Sequence, residues 1–99
     1  MTMETLIPIP QLSQYYEVEI PFFVALQEFG ILEFATVEQV QCLHIDDLGR
    51  LEKVVRLHRD LQMNLEGIDV VLHLLARIET LQAELHQTRR RLQVYERLG

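Results

Sequence analysis

The chain has 99 residues, of which 48% are apolar and 24% charged, and this balance excludes an intrinsically disordered chain. The length allows one domain, or one small domain with an extended arm. No apolar run reaches membrane-spanning length, the N-terminus lacks the pattern of a signal peptide, and the single Cys42 excludes an internal disulfide framework. We therefore expect a cytoplasmic protein.

The net charge of −6 is unevenly distributed along the chain. The first 49 residues contain eight acidic side chains and no Lys or Arg. All nine basic side chains lie from Arg50 onward, against seven acidic ones. The first half is therefore −8 and the second half +2, and this asymmetry bears on the choice of partner rather than on the fold.

The N-terminal residues predict a strand followed by a helix. Residues 6–9 are apolar but contain Pro8, which together with Pro10 limits strand pairing and favours an edge position. Pro10 also suits the first turn of a helix, which we predict over about residues 10–16.

A second short helix is predicted directly after a turn at residues 17–19. Pro21 suits its first turn, and Gly30 is typical of the residue just past a helix end. Two short helices joined by a tight turn form a helix-turn-helix.

A β hairpin and a third helix are predicted next. Residues 31–35 and 40–45 have the apolar patterns of strands, and residues 36–38 connect them. Asp46 and Asp47 suit the beginning of a helix that continues to about Leu61. Asn64 is then expected to cap the last helix.

The last helix, residues 65–98, contains no proline, and its 34 residues would span about 50 Å. One apolar stripe at helical spacing is expected to face the folded half of the chain, and it consists of Leu61, Leu65, Ile68, Leu72 and Leu75.

A second stripe follows a heptad frame and predicts pairing with a second copy of the chain. This dimer stripe consists of Val71, Leu74, Ile78, Leu81, Leu85 and Leu92, and Thr88 and Tyr95 weaken its C-terminal end. Packing within one chain is the alternative, and the orientation of paired helices stays open.

These elements predict a mostly α protein. Residues 1–62 form a winged helix-turn-helix domain with a small β hairpin, and residues 63–99 form a long coiled-coil helix for dimerisation. The arrangement resembles the MerR-type domain with its dimerising helix, and more closely the chaperone-modulator CbpM group of MerR-like proteins. The resemblance is carried by residues 54–61 and 64–72 and by a run of Leu81, Glu84, Leu85, Arg89, Arg91 and Leu92.

The resemblance implies a regulator that binds the J-domain of a DnaJ-like co-chaperone and inhibits its stimulation of the DnaK-type chaperone. MerR-type regulators carry arginines in the second helix and the wing, but this chain has no cation in either segment. Since phosphate contacts by Lys and Arg supply much of the affinity for DNA, nucleic-acid binding is disfavoured. A MerR-like transcriptional regulator and a coiled-coil adaptor without a chaperone link are the alternatives.

The expected partner surface combines carboxylates with an apolar anchor, because carboxylates steer a basic partner and apolar groups add affinity. Its candidate residues are Glu17, Glu19, Phe22, Glu28, Glu33 and Glu38. The cations of the third helix, Arg50, Lys53, Arg56 and Arg59, are interpreted as a solvent-exposed face.

No enzymatic activity, cofactor or metal is expected. Cys42 and His44 lie two residues apart without a third catalytic partner, so Cys42 is interpreted as packing. His58, His73 and His86 do not have the spacing of common metal ligands.

Overall fold

The computed structural model describes residues 5–99, which are mostly helical. The elements are β1 (Leu6–Pro8), α1 (Ile9–Tyr16), α2 (Ile20–Glu28), β2 (Ala35–Val37), β3 (Val40–His44), a 3₁₀ turn (Ile45–Asp47), α3 (Leu48–Asp60) and α4 (Leu65–Leu98). This order confirms the predicted winged helix-turn-helix with a small sheet and a long C-terminal helix. The chain divides into two compact units, the first ending at Asp69 and the second comprising Val70–Gly99.

Proline and glycine define the two short helices as predicted. Pro10 and Pro21 lie in the first turns of α1 and α2, where the missing N–H costs no helix bond. At the end of α2, Gly30 has a φ of 73°. The Gly30 and Ile31 amides bond to the carbonyls of Gln27 (3.0 Å) and Leu26 (2.9 Å), which is the pattern of a Schellman motif.

The prediction of a strand at residues 31–35 is wrong, because β2 begins only at Ala35. The Ile31 amide already bonds to the end of α2, and the Ile31 carbonyl accepts a bond from Arg50 Nε at 2.7 Å. The amide and carbonyl of Ile31 are therefore not available for pairing with a neighbouring strand. The segment buries the side chains of Ile31 and Leu32 but forms no β ladder.

The predicted connection at residues 36–38 is also corrected, since Val37 pairs with Val40 and only two residues turn the hairpin. Glu38 and Gln39 both have positive φ, at 49° and 67°, as a type I′ turn requires. The sheet has the order β1-β3-β2 with both pairings antiparallel, so β1 is an edge strand as predicted.

The core of the first unit receives side chains from every helix and from the sheet. Its fully buried members include Phe23, Leu26, Leu43, Leu51, Val54 and Ile68. These residues come from α2, β3, α3 and α4, and the burial of Ile68 fastens the first turn of α4 into the core.

The apolar stripes of α4 differ in exposure. In the first stripe Ile68 and Leu72 are buried, but Leu61 is 65% exposed and Leu75 is 40% exposed, so that prediction is wrong at both ends. In the dimer stripe Val71 is half-buried, and the exposed members are Leu74, Ile78, Leu81, Leu85 and Leu92. Dimerisation through this stripe stays a prediction. None of the helices within residues 5–99 has the length and hydropathy that crossing a membrane requires.

The start of α4 is capped as predicted, because the Gly67 amide donates to Asn64 Oδ1 at 2.8 Å. We expect Asn64→Ala to lower the free energy of unfolding by about 1 kcal/mol, as loss of an N-cap typically does. Urea unfolding followed by circular dichroism measures the change. Asn64→Asp keeps an accepting oxygen and should stay close to wild type; an equal loss in both variants would contradict the capping role.

Candidate functional site

The turn between α1 and α2 is held by side chains as well as by the backbone. Glu17 ends α1 in the left-handed region, at a φ of 56°, and its amide bonds to the Ser13 carbonyl. The Val18 amide also bonds to that carbonyl, at 3.0 Å, and the Ser13 hydroxyl donates to the Val18 carbonyl. The turn is therefore closed on itself although it contains no glycine.

Arg59 of α3 fastens this turn to the third helix. Its Nη2 donates to the carbonyl of Tyr16 and to that of Glu17, the latter at 3.1 Å. A cation is favourable at the C-terminal end of α1, where the last carbonyls carry partial negative charge. The position of the Arg59 side chain is therefore fixed by the end of α1, which lies more than 40 residues earlier in the chain.

A groove of about 410 Å³ lies beside this turn and is open to solvent. We call it the turn groove; its lining residues are Glu17, Val18, Glu19, Pro21, Phe22, Val55, His58 and Arg59. It thus combines α2 and the preceding turn with one face of α3.

Two rings in tilted contact and a buried aliphatic residue line the turn groove. The centroids of the Phe22 and His58 rings are 4.6 Å apart, and the two ring planes make an angle of 36°. His58 Nδ1 lies 3.1 Å from the Met63 carbonyl, so in the neutral ring Nδ1 carries the hydrogen that this bond requires. Val55 is buried, whereas Phe22 is half-buried.

The charged groups of the turn groove are exposed and do not pair with one another. Glu17, Glu19 and Arg59 all have exposed side chains. No ion pair is found between Arg59 and either Glu17 or Glu19. Two carboxylates and one guanidinium therefore face solvent in the same groove.

The turn groove brings together three of the six predicted partner-binding residues, namely Glu17, Glu19 and Phe22. Glu38 lies in the hairpin turn and lines another cavity with Leu6, Pro8, Val37, Val40 and Cys42. Glu28 ends α2 and Glu33 precedes β2, and both are exposed outside the turn groove. A role for these six residues in binding stays a prediction.

Sequence reasoning missed Val55, His58 and Arg59 as parts of this groove. These residues lie about 40 positions after the acidic turn in the sequence. No local pattern indicates which face of α3 meets α2. The interpretation of the α3 cations as a solvent-exposed face is confirmed, since all four are exposed. Arg50 and Arg59 in addition bond to main-chain carbonyls of distant segments, which the sequence did not indicate.

The remaining candidates for chemistry give no site. Cys42 is buried, as predicted, and its thiol lies 3.7 Å from the Val40 carbonyl. His44 accepts a bond from the Asp46 amide at 3.1 Å and so caps the 3₁₀ turn. In the part of the chain that the structure describes, no three His, Cys, Asp or Glu side chains are grouped as a metal site would require.

Tyr16 and Glu52 form a second link between α1 and α3. The Tyr16 hydroxyl donates to a carboxylate oxygen of Glu52 at 2.9 Å. Partial burial, this hydrogen bond and the nearby negative charge of Glu52 raise the pKa of Tyr16 to about 12. The neutral phenol is therefore the form that the folded protein favours.

The chain was compared with known protein families, curated proteins and solved structures. A family model described as MerR HTH family regulatory protein matches residues 7–90. No curated protein and no solved structure matched the chain.

The raised pKa of Tyr16 predicts a specific alkaline instability. Since the folded-state pKa lies above the ordinary value of 10, the stabilising contribution is complete below pH 10 and is lost as pH rises through 12. We expect Tyr16→Phe to be less stable than wild type at neutral pH by about 1 kcal/mol, through loss of the hydrogen bond. The gap should narrow between pH 10 and 12.

Urea midpoints across that pH range test this expectation. Glu52→Gln removes the charge beside the phenol and should lower the pKa of Tyr16, which the ultraviolet absorbance of tyrosinate reports. A constant gap between wild type and Tyr16→Phe at all pH values would contradict the link.

Proposed function

Because the chain belongs to the MerR helix-turn-helix family of regulatory proteins, we propose that it is a non-enzymatic regulator of a co-chaperone. In this proposal it binds the J-domain of a DnaJ-like protein and inhibits that protein's stimulation of the DnaK-type chaperone.

The observation that carries the proposal is the missing positive charge on the helix-turn-helix and wing. The segment from α1 through β3 contains no Lys or Arg, and the first cation is Arg50 in α3. A duplex-binding surface gains much of its affinity from cations that neutralise phosphates. This surface instead presents carboxylates, so a basic protein segment fits it better than DNA does.

The turn groove supplies the other requirement of a protein interface. Phe22 and the buried Val55 give it apolar area, and the exposed Glu17 and Glu19 surround that area with negative charge. Apolar anchors within a charged rim are the usual arrangement of protein–protein interfaces.

A J-domain matches this surface in charge. J-domains present a basic helix through which they engage the DnaK-type chaperone, and the resemblance to the CbpM group implies competition for that helix. Occupation of the helix by this protein would block the stimulation without any catalytic step.

We further propose that two copies associate through the dimer stripe. Its exposed members from Leu74 to Leu85 recur every three or four residues along the second unit, and Leu92 follows one heptad later. Leu74, Ile78 and Leu81 are each about half exposed. A heptad stripe of this kind is buried when a second helix packs against it.

A MerR-like transcriptional regulator is the second candidate, and the family membership favours it. Such a protein would shift duplex DNA in a gel at moderate salt, with affinity falling steeply as salt rises. Sequence-selective retardation together with no binding to J-domains would reject the co-chaperone proposal.

Charge reversal at the turn groove tests the proposed docking. We expect Glu17→Lys combined with Glu19→Lys to slow association with a purified J-domain by about tenfold at low salt, because attraction between opposite charges speeds encounter. Stopped-flow or surface-plasmon measurements give the rate.

The matched control reverses the same amount of charge at Glu79 and Glu96, which lie on the second unit. This variant should associate nearly as fast as the wild type. An unaltered rate after reversal at Glu17 and Glu19 would remove the turn groove from the interface.

Substitution within the dimer stripe tests the association of two copies. Leu81→Asp places a charge where an apolar seam is proposed, and we expect sedimentation equilibrium to change from the mass of a dimer to that of a monomer. Gln87→Asp introduces the same charge outside the stripe and should leave the mass unchanged. Identical masses for Leu81→Asp and wild type would refute the seam.

A further inference from the structure

We propose that the turn groove is a dipolar site, in which Glu17 and Glu19 take a cationic side chain of the partner while Arg59 takes a carboxylate beside it. The inference rests on the proposed use of this groove for docking a protein. It adds that a basic segment alone is not the preferred ligand, and that the partner must present both charges together.

The charge of Arg59 is available to a ligand although its position is fixed. Only Nη2 is used in the bonds to the Tyr16 and Glu17 carbonyls, and a guanidinium has five N–H donors. Carbonyls orient the group but do not neutralise it, and no carboxylate within residues 5–99 forms an ion pair with it. The planar guanidinium of Arg59 suits the binding of a carboxylate through two parallel hydrogen bonds.

The negative charges of the turn groove, on Glu17 and Glu19, are also available to a ligand. Glu17 shares its main-chain carbonyl with Arg59, yet its carboxylate forms no ion pair with that residue, and Glu19 lies in the same groove. A ligand that carried only positive charge would be repelled by the guanidinium, and one that carried only negative charge would be repelled by the carboxylates. A ligand with both charges avoids each repulsion, which gives selectivity.

The contacting rings of Phe22 and His58 provide a surface for the cationic side chain of the ligand. Phe22 and His58 are held 4.6 Å apart, and the bond from His58 to the Met63 carbonyl fixes the orientation of the imidazole. The aliphatic part of a Lys or Arg side chain packs on such a surface while its charged end reaches a carboxylate.

The test uses three blocked dipeptides as probes with the full-length, nitrogen-15-labelled protein at constant ionic strength. They are acetyl-Lys-Asp-amide, acetyl-Lys-Asn-amide and acetyl-Gln-Asp-amide, and NMR titration follows the Val18 amide and the Arg59 Nε–H. We expect the peptide with both charges to bind about threefold more tightly than either other peptide, the gain typical of one exposed ion pair. Equal affinity for the Lys-Asp and Lys-Asn peptides, or no shift with any peptide, would overturn the proposal.

Variants at position 59 assign the preference to Arg59. In Arg59→Gln the Lys-Asp and Lys-Asn peptides should bind equally, whereas Arg59→Lys should keep the preference because it keeps the charge. Arg56→Gln is the matched control, since this α3 cation does not line the turn groove. A preference that survives in Arg59→Gln would overturn the assignment.

Failure of this inference is separable from failure of the proposed function, because the dipeptide titration contains no J-domain. A Lys-Asp preference without J-domain binding would support the dipolar site and reject the co-chaperone role. J-domain binding without a preference for the Lys-Asp peptide would support the co-chaperone role and reject the dipolar site. Should Arg59→Gln disturb the turn, visible at the Val18 amide, the wild-type comparison of the three peptides and the Arg59→Lys variant still decide.

Discussion

The contact on which the site depends is the pair of hydrogen bonds from Arg59 to the carbonyls at the end of α1. Glu17 has a left-handed backbone there, which a residue with a Cβ adopts only at a cost in free energy. The guanidinium and the Ser13–Val18 bonds offset that cost. The same bonds bring α3 against the turn, and the turn groove exists because of this approach.

Most helices could be predicted because their signals are local. Pro10 and Pro21 lie in the first turns of their helices, and Gly30 and Asn64 act within a few residues of their own positions. The misplaced β2 has a non-local cause: Ile31 looks like a strand residue, but its carbonyl bonds to Arg50, 19 residues away. The hairpin turn at Glu38 and Gln39 lacks the Asn-Gly signal that normally reveals a type I′ turn.

The candidate site was only half predictable, for a similar reason. The acidic turn and Phe22 could be chosen from charge bias and apolar character, which a sequence displays directly. The exposure of Phe22 depends on its ring contact with His58, and the presence of Arg59 in the groove depends on how α3 packs. The exposed α3 cations seemed alike in the sequence, yet tertiary contacts distinguish Arg50 and Arg59 from Lys53 and Arg56.

The net charges of the two units indicate which of them attracts a basic molecule. Up to Asp69 the sequence contains twelve acidic and four basic side chains, a net charge of −8, whereas Val70–Gly99 contains three acidic and five basic ones, a net charge of +2. Long-range attraction therefore directs a cationic surface to the first unit and away from the second. Because the exposed apolar stripe lies on the second unit, the proposed docking and the proposed self-association involve different units of the chain.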